Sequence, residues 1–66
     1  MNDYLDLWPK AIGNPARRAL VSAGFRELAQ LSRATEKELL ALHGVGPKAV
    51  RILKQMLADQ GTAFKS

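Results

Sequence analysis

A turn of Gly44, Val45, Gly46 and Pro47 separates two apolar segments in the second half of the chain. Glycine adopts turn conformations that other residues avoid, and proline at the first position of a helix removes no needed N–H group. The turn therefore predicts one helix that ends before Gly44 and another that begins at Pro47. Apolar residues elsewhere recur at helical spacing, without strand-like alternation. We expect an all-α fold, a compact bundle of four to five short helices.

Two more helix starts precede this turn. Asn14 followed by Pro15 predicts a helix that runs to Gly24, a common C-terminal stop. Thr35 and Glu38 have the spacing of a capping box, in which the Thr35 hydroxyl accepts from the Glu38 amide and the Glu38 side chain reaches back. Another short helix is expected over residues 27–31.

A rotation of about 100° per residue assigns a buried face to each predicted helix. The helix after Pro47 is expected to end near Gln60, before Gly61, and its apolar arc is Ala49, Val50, Ile52, Leu53, Met56 and Leu57. Its basic residues lie opposite: Lys48, Arg51 and Lys54. In the helix after Asn14 the expected apolar face is Ala16, Ala19, Leu20 and Ala23, with Arg17, Arg18 and Ser22 pointing elsewhere. The segment between contributes Leu39, Leu40 and Leu42 to the core.

The composition limits the available chemistry. A chain of 66 residues forms one small domain, and without cysteine it has neither disulfides nor thiolate metal ligands. One histidine cannot build a metal centre, and no pair of titratable residues has a spacing that suits acid–base catalysis. We expect a non-enzymatic protein with no cofactor, metal or small-molecule substrate. A signal-peptide pattern and a membrane-spanning run are both lacking, which favours a cytoplasmic protein with no membrane partner.

Basic residues are separated from acidic ones along the chain. The formal net charge is +4, and no acid occurs from Lys10 to Arg26 or from Leu39 to Ala58. Two such blocks suit a polyanionic partner. The alternative is that they are solvated helix faces that keep the protein soluble.

The turn before the last predicted helix has features that suit a phosphate group. The first amides of a helix have no acceptor within the helix and carry partial positive charge, so a nearby anion stabilises them. Gly44 and Gly46 leave room for that approach, and Lys48 adds an ammonium group. Val45 is expected to point inward, and Ala49 to keep the helix start thin. The alternative is a glycine-rich connection between helices that binds no ligand.

Residues Leu42 to Ala49 resemble the helix-hairpin-helix motif, in which two glycines flank an apolar residue and an alanine follows three positions after the second glycine. Residues 12–19 look like a degenerate second copy, in which Asn14 and Pro15 depart from the second glycine. The resemblance implies a tandem, SAM-domain-like fold. It also implies contacts with the backbone of double-stranded DNA, from the minor-groove side and with low sequence specificity.

By this resemblance, the expected DNA-binding residues of the second copy are Gly44, Val45, Gly46, Lys48, Ala49 and Arg51. Those of the first copy are Asn14, Arg17 and Arg18. The single domain, residues 1–66, then consists of an N-terminal segment at 1–11 that packs on the body, the degenerate first hairpin region at 12–26, and the second hairpin motif at 35–61.

From about Leu7 to Phe64 the chain also resembles the C-terminal domain of the bacterial RNA polymerase α subunit. Shared landmarks are the Gly24-Phe25 turn, Thr35-Glu36, Glu38-Leu39-Leu40 and the Gly46 turn with Lys48. The resemblance implies a transcription-related role in the bacterial cytoplasm, nucleoid-associated if DNA is bound. Pro15 and Arg18 stand where that family has its minor-groove arginine and the asparagine partner, so the chain departs from that pattern there. Its own methionine start and the lack of an assembly domain suggest a free-standing relative.

Several residues leave two interpretations open. Four near the N-terminus are expected to pack on the helical body or, alternatively, to form a patch for a partner protein: Tyr4, Leu5, Leu7 and Trp8. Phe64 has the same two interpretations, and Lys65-Ser66 is expected to be frayed. His43 is expected to be a partly exposed structural side chain, with phosphate contact as the alternative. The second candidate function is therefore a protein-interaction module that docks on a transcription or repair factor.

Overall fold

The computed structural model describes residues 8–65, which contain helices and no β-strand. A first 3₁₀ helix, Lys10–Ile12, leads into α1, Asn14–Ser22. A second 3₁₀ helix, Leu28–Arg33, is followed by α2, Glu36–Leu40, and α3, Pro47–Asp59. The expected all-α fold of four to five short helices is confirmed.

Glycines end both longer helices, as predicted. Gly24 follows α1 with φ +93°. Its amide donates to the Val21 carbonyl at 3.0 Å, and the Phe25 amide donates to the Leu20 carbonyl at 2.8 Å. This pair of bonds is the Schellman motif, which satisfies carbonyls at a helix end. The same motif ends α3 at Gly61, with φ +78°.

Side-chain hydrogen bonds cap the starts of α2 and of the second 3₁₀ helix. At α2, the Glu38 amide donates to the Thr35 hydroxyl at 3.0 Å, as predicted, and that hydroxyl donates to the Glu38 carboxylate at 3.3 Å. At the second 3₁₀ helix, the Gln30 side chain accepts from the amides of Arg26 and Glu27. This second cap was not predicted. The helix, Leu28–Arg33, begins and ends later in the chain than the expected residues 27–31.

The core forms where α3 packs against α2 and both 3₁₀ helices. Its buried apolar residues are Trp8, Ile12, Ala16, Leu20, Leu31, Ala34, Leu39, Val45, Ala49, Val50, Leu53 and Leu57. Ile52 and Met56 are half-buried beside it, while the basic residues of α3 are exposed. Both predicted faces of α3 are therefore confirmed.

The buried face of α1 differs from the prediction. Ala16 and Leu20 are buried as expected, but Ala23 is exposed and Arg17 has only 6% of its surface exposed. Alanines carry little apolar area, so they orient a helix weakly, and the aliphatic stem of an arginine can cover apolar surface in their place. The expectation that Arg17 points away from the apolar face is wrong.

The burial of Leu40 was also predicted wrongly. It was expected to face the core, but 46% of its surface is exposed. Leu39 is fully buried and Leu42 is half-buried against the core. Because α2 is short, Leu39 occupies its one inward position and the adjacent Leu40 points outward.

Both ends of the described chain pack on the body. Trp8 is buried, and its indole Nε1 donates to the Phe25 carbonyl at 3.1 Å. The packing expected of Trp8 is thus confirmed; Tyr4, Leu5 and Leu7 lie outside the described residues.

The C-terminal segment also folds back. Phe64 packs against the core, and the Lys65 amide donates to the Ala34 carbonyl at 2.9 Å. The expected fraying of Lys65 is therefore wrong, and Ser66 lies outside the described residues.

Candidate functional site

The turn from Leu42 to Gly46 leads directly into α3. Gly44 has φ +97°, a conformation that favours glycine. The Val45 side chain is buried, as predicted, and its amide donates to the Leu42 carbonyl at 3.1 Å. Gly46 is the N-cap of α3 and has extended backbone, with φ −108°. Val45 therefore stabilises the turn from inside, and Gly46 stands at the surface.

Amides at the start of α3 have no acceptor within the described residues. The first bond of this helix runs from the Val50 amide to the Gly46 carbonyl, at 3.1 Å. The amides of Gly46, Lys48 and Ala49 are left over, as expected for the first turn of a helix. A Cβ added at Gly46 would meet nothing within 4 Å, so the space beside this residue is open.

Two basic side chains extend this surface along α3. Lys48 and Arg51 are both exposed, and their spacing of three residues places them on one side of the helix. Lys54 continues the row, but its ammonium lies 3.6 Å from the carboxylate of Glu36. Lys48 and Arg51 are therefore the basic side chains of this row that lie nearest the start of the helix.

The first hairpin copy has a different register from the one predicted. Four pairs of residues correspond in burial and in position relative to the helix start: Ile12 with Val45, Gly13 with Gly46, Ala16 with Ala49, and Leu20 with Leu53. Gly13 is thus the second glycine of the first copy, and Ala11 replaces the first glycine. The prediction that Asn14 and Pro15 take the second glycine's place is wrong. The glycine-to-alanine spacing shared by the two copies is the signal that would have aligned them.

In this register the two adjacent arginines of α1 occupy different environments. Arg18 corresponds to Arg51 and is exposed, whereas Arg17 corresponds to the buried Val50. The Arg17 guanidinium donates to the Asn14 side-chain oxygen at 3.0 Å. Arg18 and Asn14 are therefore on the surface at this helix start, and Arg17 supports the fold beneath them.

The two hairpins meet where Gly44 packs against Pro15. Nearby, the exposed His43 lies on the same side of the turn as α1. Within residues 8–65, no three His, Asp or Glu side chains are grouped as a metal site would require. This part of the chain also contains no helix suited to span a bilayer.

Two short helical hairpins in tandem, each with a glycine N-cap and a buried alanine, define a helix-hairpin-helix domain. Residues 10–59 match the model of the SAM-like helix-hairpin-helix tandem family. Because this match covers most of the chain, the protein belongs to that family, and the predicted tandem fold is confirmed. Helix-hairpin-helix domains are commonly associated with nucleic acids. No curated protein and no solved structure gives a significant match to the chain.

Proposed function

We propose that the protein is a non-enzymatic DNA-binding domain that contacts the phosphate backbone of duplex DNA with low sequence specificity. The observation that supports this most is the start of α3, where the amides of Gly46, Lys48 and Ala49 have no acceptor among residues 8–65 and lie beside two exposed basic side chains, Lys48 and Arg51. A phosphate bound there accepts hydrogen bonds from the amides and is attracted by both cations.

The start of α1 provides the second contact. Arg18 and Asn14 are exposed there and correspond in position to the residues that begin α3. Contacts of this type go to phosphates and carry no sequence information directly, so low specificity follows. By analogy with the family that the chain resembles, we expect the minor groove of the duplex to face the hairpins.

A salt titration with short duplexes tests this function. With ~3–5 phosphates neutralised, log affinity should fall with log salt concentration with a slope of about −0.9 per phosphate, and affinity at physiological salt should lie in the range of ~10⁻⁴–10⁻⁶ M. Two duplexes of unrelated sequence should bind almost equally. If no binding occurs at low salt, or if salt has no effect, the proposal fails.

We place this activity in transcription, in the bacterial cytoplasm and at the nucleoid, because the chain resembles the C-terminal domain of the RNA polymerase α subunit. Pro15 and Arg18 replace the groove-reading pair of that family. Equal affinity for A·T-rich and G·C-rich duplexes is therefore expected, and a strong A·T preference would argue against backbone binding alone.

The second candidate function is a docking module for a transcription or repair factor, and exposed Leu40 favours it. With Pro47 and Val50, Leu40 lines a shallow groove of about 240 Å³ whose rim carries Glu36, Arg51 and Lys54. Leu40→Lys should abolish recovery of a protein partner after nuclease treatment while leaving duplex affinity intact. Loss of duplex affinity in this variant would instead place Leu40 at the DNA surface.

A further inference from the structure

A groove of about 510 Å³ separates α1 from the turn that precedes α3. Its lining residues are Pro15, Arg18, Ala19, Ser22, Ala23, Leu42, His43 and Gly44. This set contains two groups that can be cationic, one hydroxyl and no acid. The remaining residues provide a largely apolar floor, so the groove suits a ligand with both an anionic and an apolar part.

Anionic and apolar groups alternate along the backbone of a DNA strand. Each phosphate presents negative oxygens, and each deoxyribose presents C–H groups that can pack on apolar side chains such as Pro15 and Leu42. Arg18 and His43 are both exposed, so they are accessible to a phosphate. A guanidinium is a strong donor to phosphate oxygens, and an imidazolium adds a second positive charge.

The groove is also continuous with the site at the start of α3. Gly44 lines the groove and belongs to the same turn as Gly46, the N-cap of α3. A strand whose phosphate binds at Lys48 and Gly46 can therefore extend past Gly44 towards Arg18. Charge and position both favour the strand over an acidic peptide as the occupant.

We propose that this groove binds one sugar–phosphate unit of the same DNA strand, with the phosphate between Arg18 and His43. This inference rests on the proposed function. Among the described residues, Arg18 from α1 and His43 from the turn are the ionisable groups that line the groove. The Arg18 guanidinium stays charged across the physiological range and attracts the phosphate, and the His43 imidazole can donate a hydrogen bond to it.

The test measures the dissociation constant for a short duplex at several salt concentrations. Arg18→Gln should bind more weakly than the wild-type protein, with a salt slope shallower by about 0.9. His43→Glu places a carboxylate beside the phosphate and should bind ~2–5-fold more weakly. Lys65→Gln is the matched control, because it lowers the formal net charge by one at a residue that does not line the groove, and it should change the affinity less than either variant.

The outcomes separate this inference from the proposed function. If His43→Glu and Arg18→Gln change the affinity no more than Lys65→Gln does, the groove assignment is wrong. The proposed function then still stands, provided that Lys48→Glu weakens binding. If no duplex binds at low salt, both fail. Amide shifts at Ala23 and Leu42 in an NMR titration with a glutamate-rich peptide, but not with a duplex, would assign the groove to a protein partner and overturn the proposal.

Discussion

Gly44 packs so closely on the backbone of Pro15 that a Cβ at position 44 would lie 2.8 Å from the Pro15 carbonyl oxygen and 3.1 Å from its carbonyl carbon. Gly44 also has φ +97°, which L-residues with a side chain rarely adopt. The two hairpins are thus joined through main-chain atoms. Their relative position does not depend on the rotamer of any side chain at this contact.

Gly44→Ala should destabilise the fold more than Gly24→Ala does. Gly24 has a similar φ of +93°, but an added Cβ there meets nothing within 4 Å. The control should therefore lose only the conformational term of about 1–2 kcal/mol, whereas Gly44→Ala adds the clash with Pro15. Urea denaturation followed by circular dichroism gives both free energies of unfolding. Equal losses in the two variants would contradict the close contact.

Gly46→Ala should lower duplex affinity with little change in the stability of the fold. Gly46 has negative φ and open space at its Cβ position, so the free energy of unfolding should change by less than ~1 kcal/mol, the size of an N-cap effect. The added methyl group, however, stands beside the open amides where a phosphate would approach. Duplex affinity measured by fluorescence anisotropy should fall, and an unchanged affinity would show that these amides do not bind DNA.

Lys48→Glu should weaken duplex binding several-fold at low salt and leave the fold intact, because Lys48 is exposed. Lys65→Glu is the matched control: it changes the net charge equally, but Lys65 lies in the C-terminal segment after α3, where its amide donates to the Ala34 carbonyl, and not at the start of α3. Anisotropy titrations at several salt concentrations measure both. A similar loss in the two variants would mean that net charge, and not a site at the start of α3, determines affinity.

Charge reversal at the neighbouring arginines of α1 should have opposite consequences. Arg17→Glu places a carboxylate in a buried position and removes the bond to Asn14, so most of the protein should unfold. Arg18→Glu alters an exposed residue and should fold normally while binding duplex several-fold more weakly. Thermal melts and anisotropy titrations test the pair. A folded Arg17→Glu protein would contradict the buried position of this side chain.

The parts of the fold that depend on local patterns could be predicted from the sequence. The two faces of α3 follow from several large apolar residues at helical spacing, and the helix ends follow from Gly24, Gly61 and Thr35. The burial of Arg17 could not be predicted, because the alanines of α1 specify its direction weakly. Leu40 was misplaced for a similar reason: two adjacent leucines in a short helix cannot both face the core.

Some parts of the candidate site could likewise be predicted from local sequence patterns, and others could not. Free amides at the start of α3 follow from helix geometry, so Gly46 and Lys48 could be identified from the turn alone. Burial of Ala16 and Leu20 was expected, and the register of the first hairpin could also have been found, because Gly13 and Ala16 have the same spacing as Gly46 and Ala49. The groove that brings His43 near Arg18 depends on packing between residues far apart in the chain, and no local pattern indicates it.

The family match covers residues 10–59, yet residues packed on the core extend further on both sides. A fragment trimmed to those limits would lose Trp8, the largest fully buried side chain, together with its bond to Phe25. It would also lose Phe64 and the donor that satisfies the Ala34 carbonyl. We therefore expect a stable domain to need more than the recognisable motif, and expression boundaries should include residues 8–65.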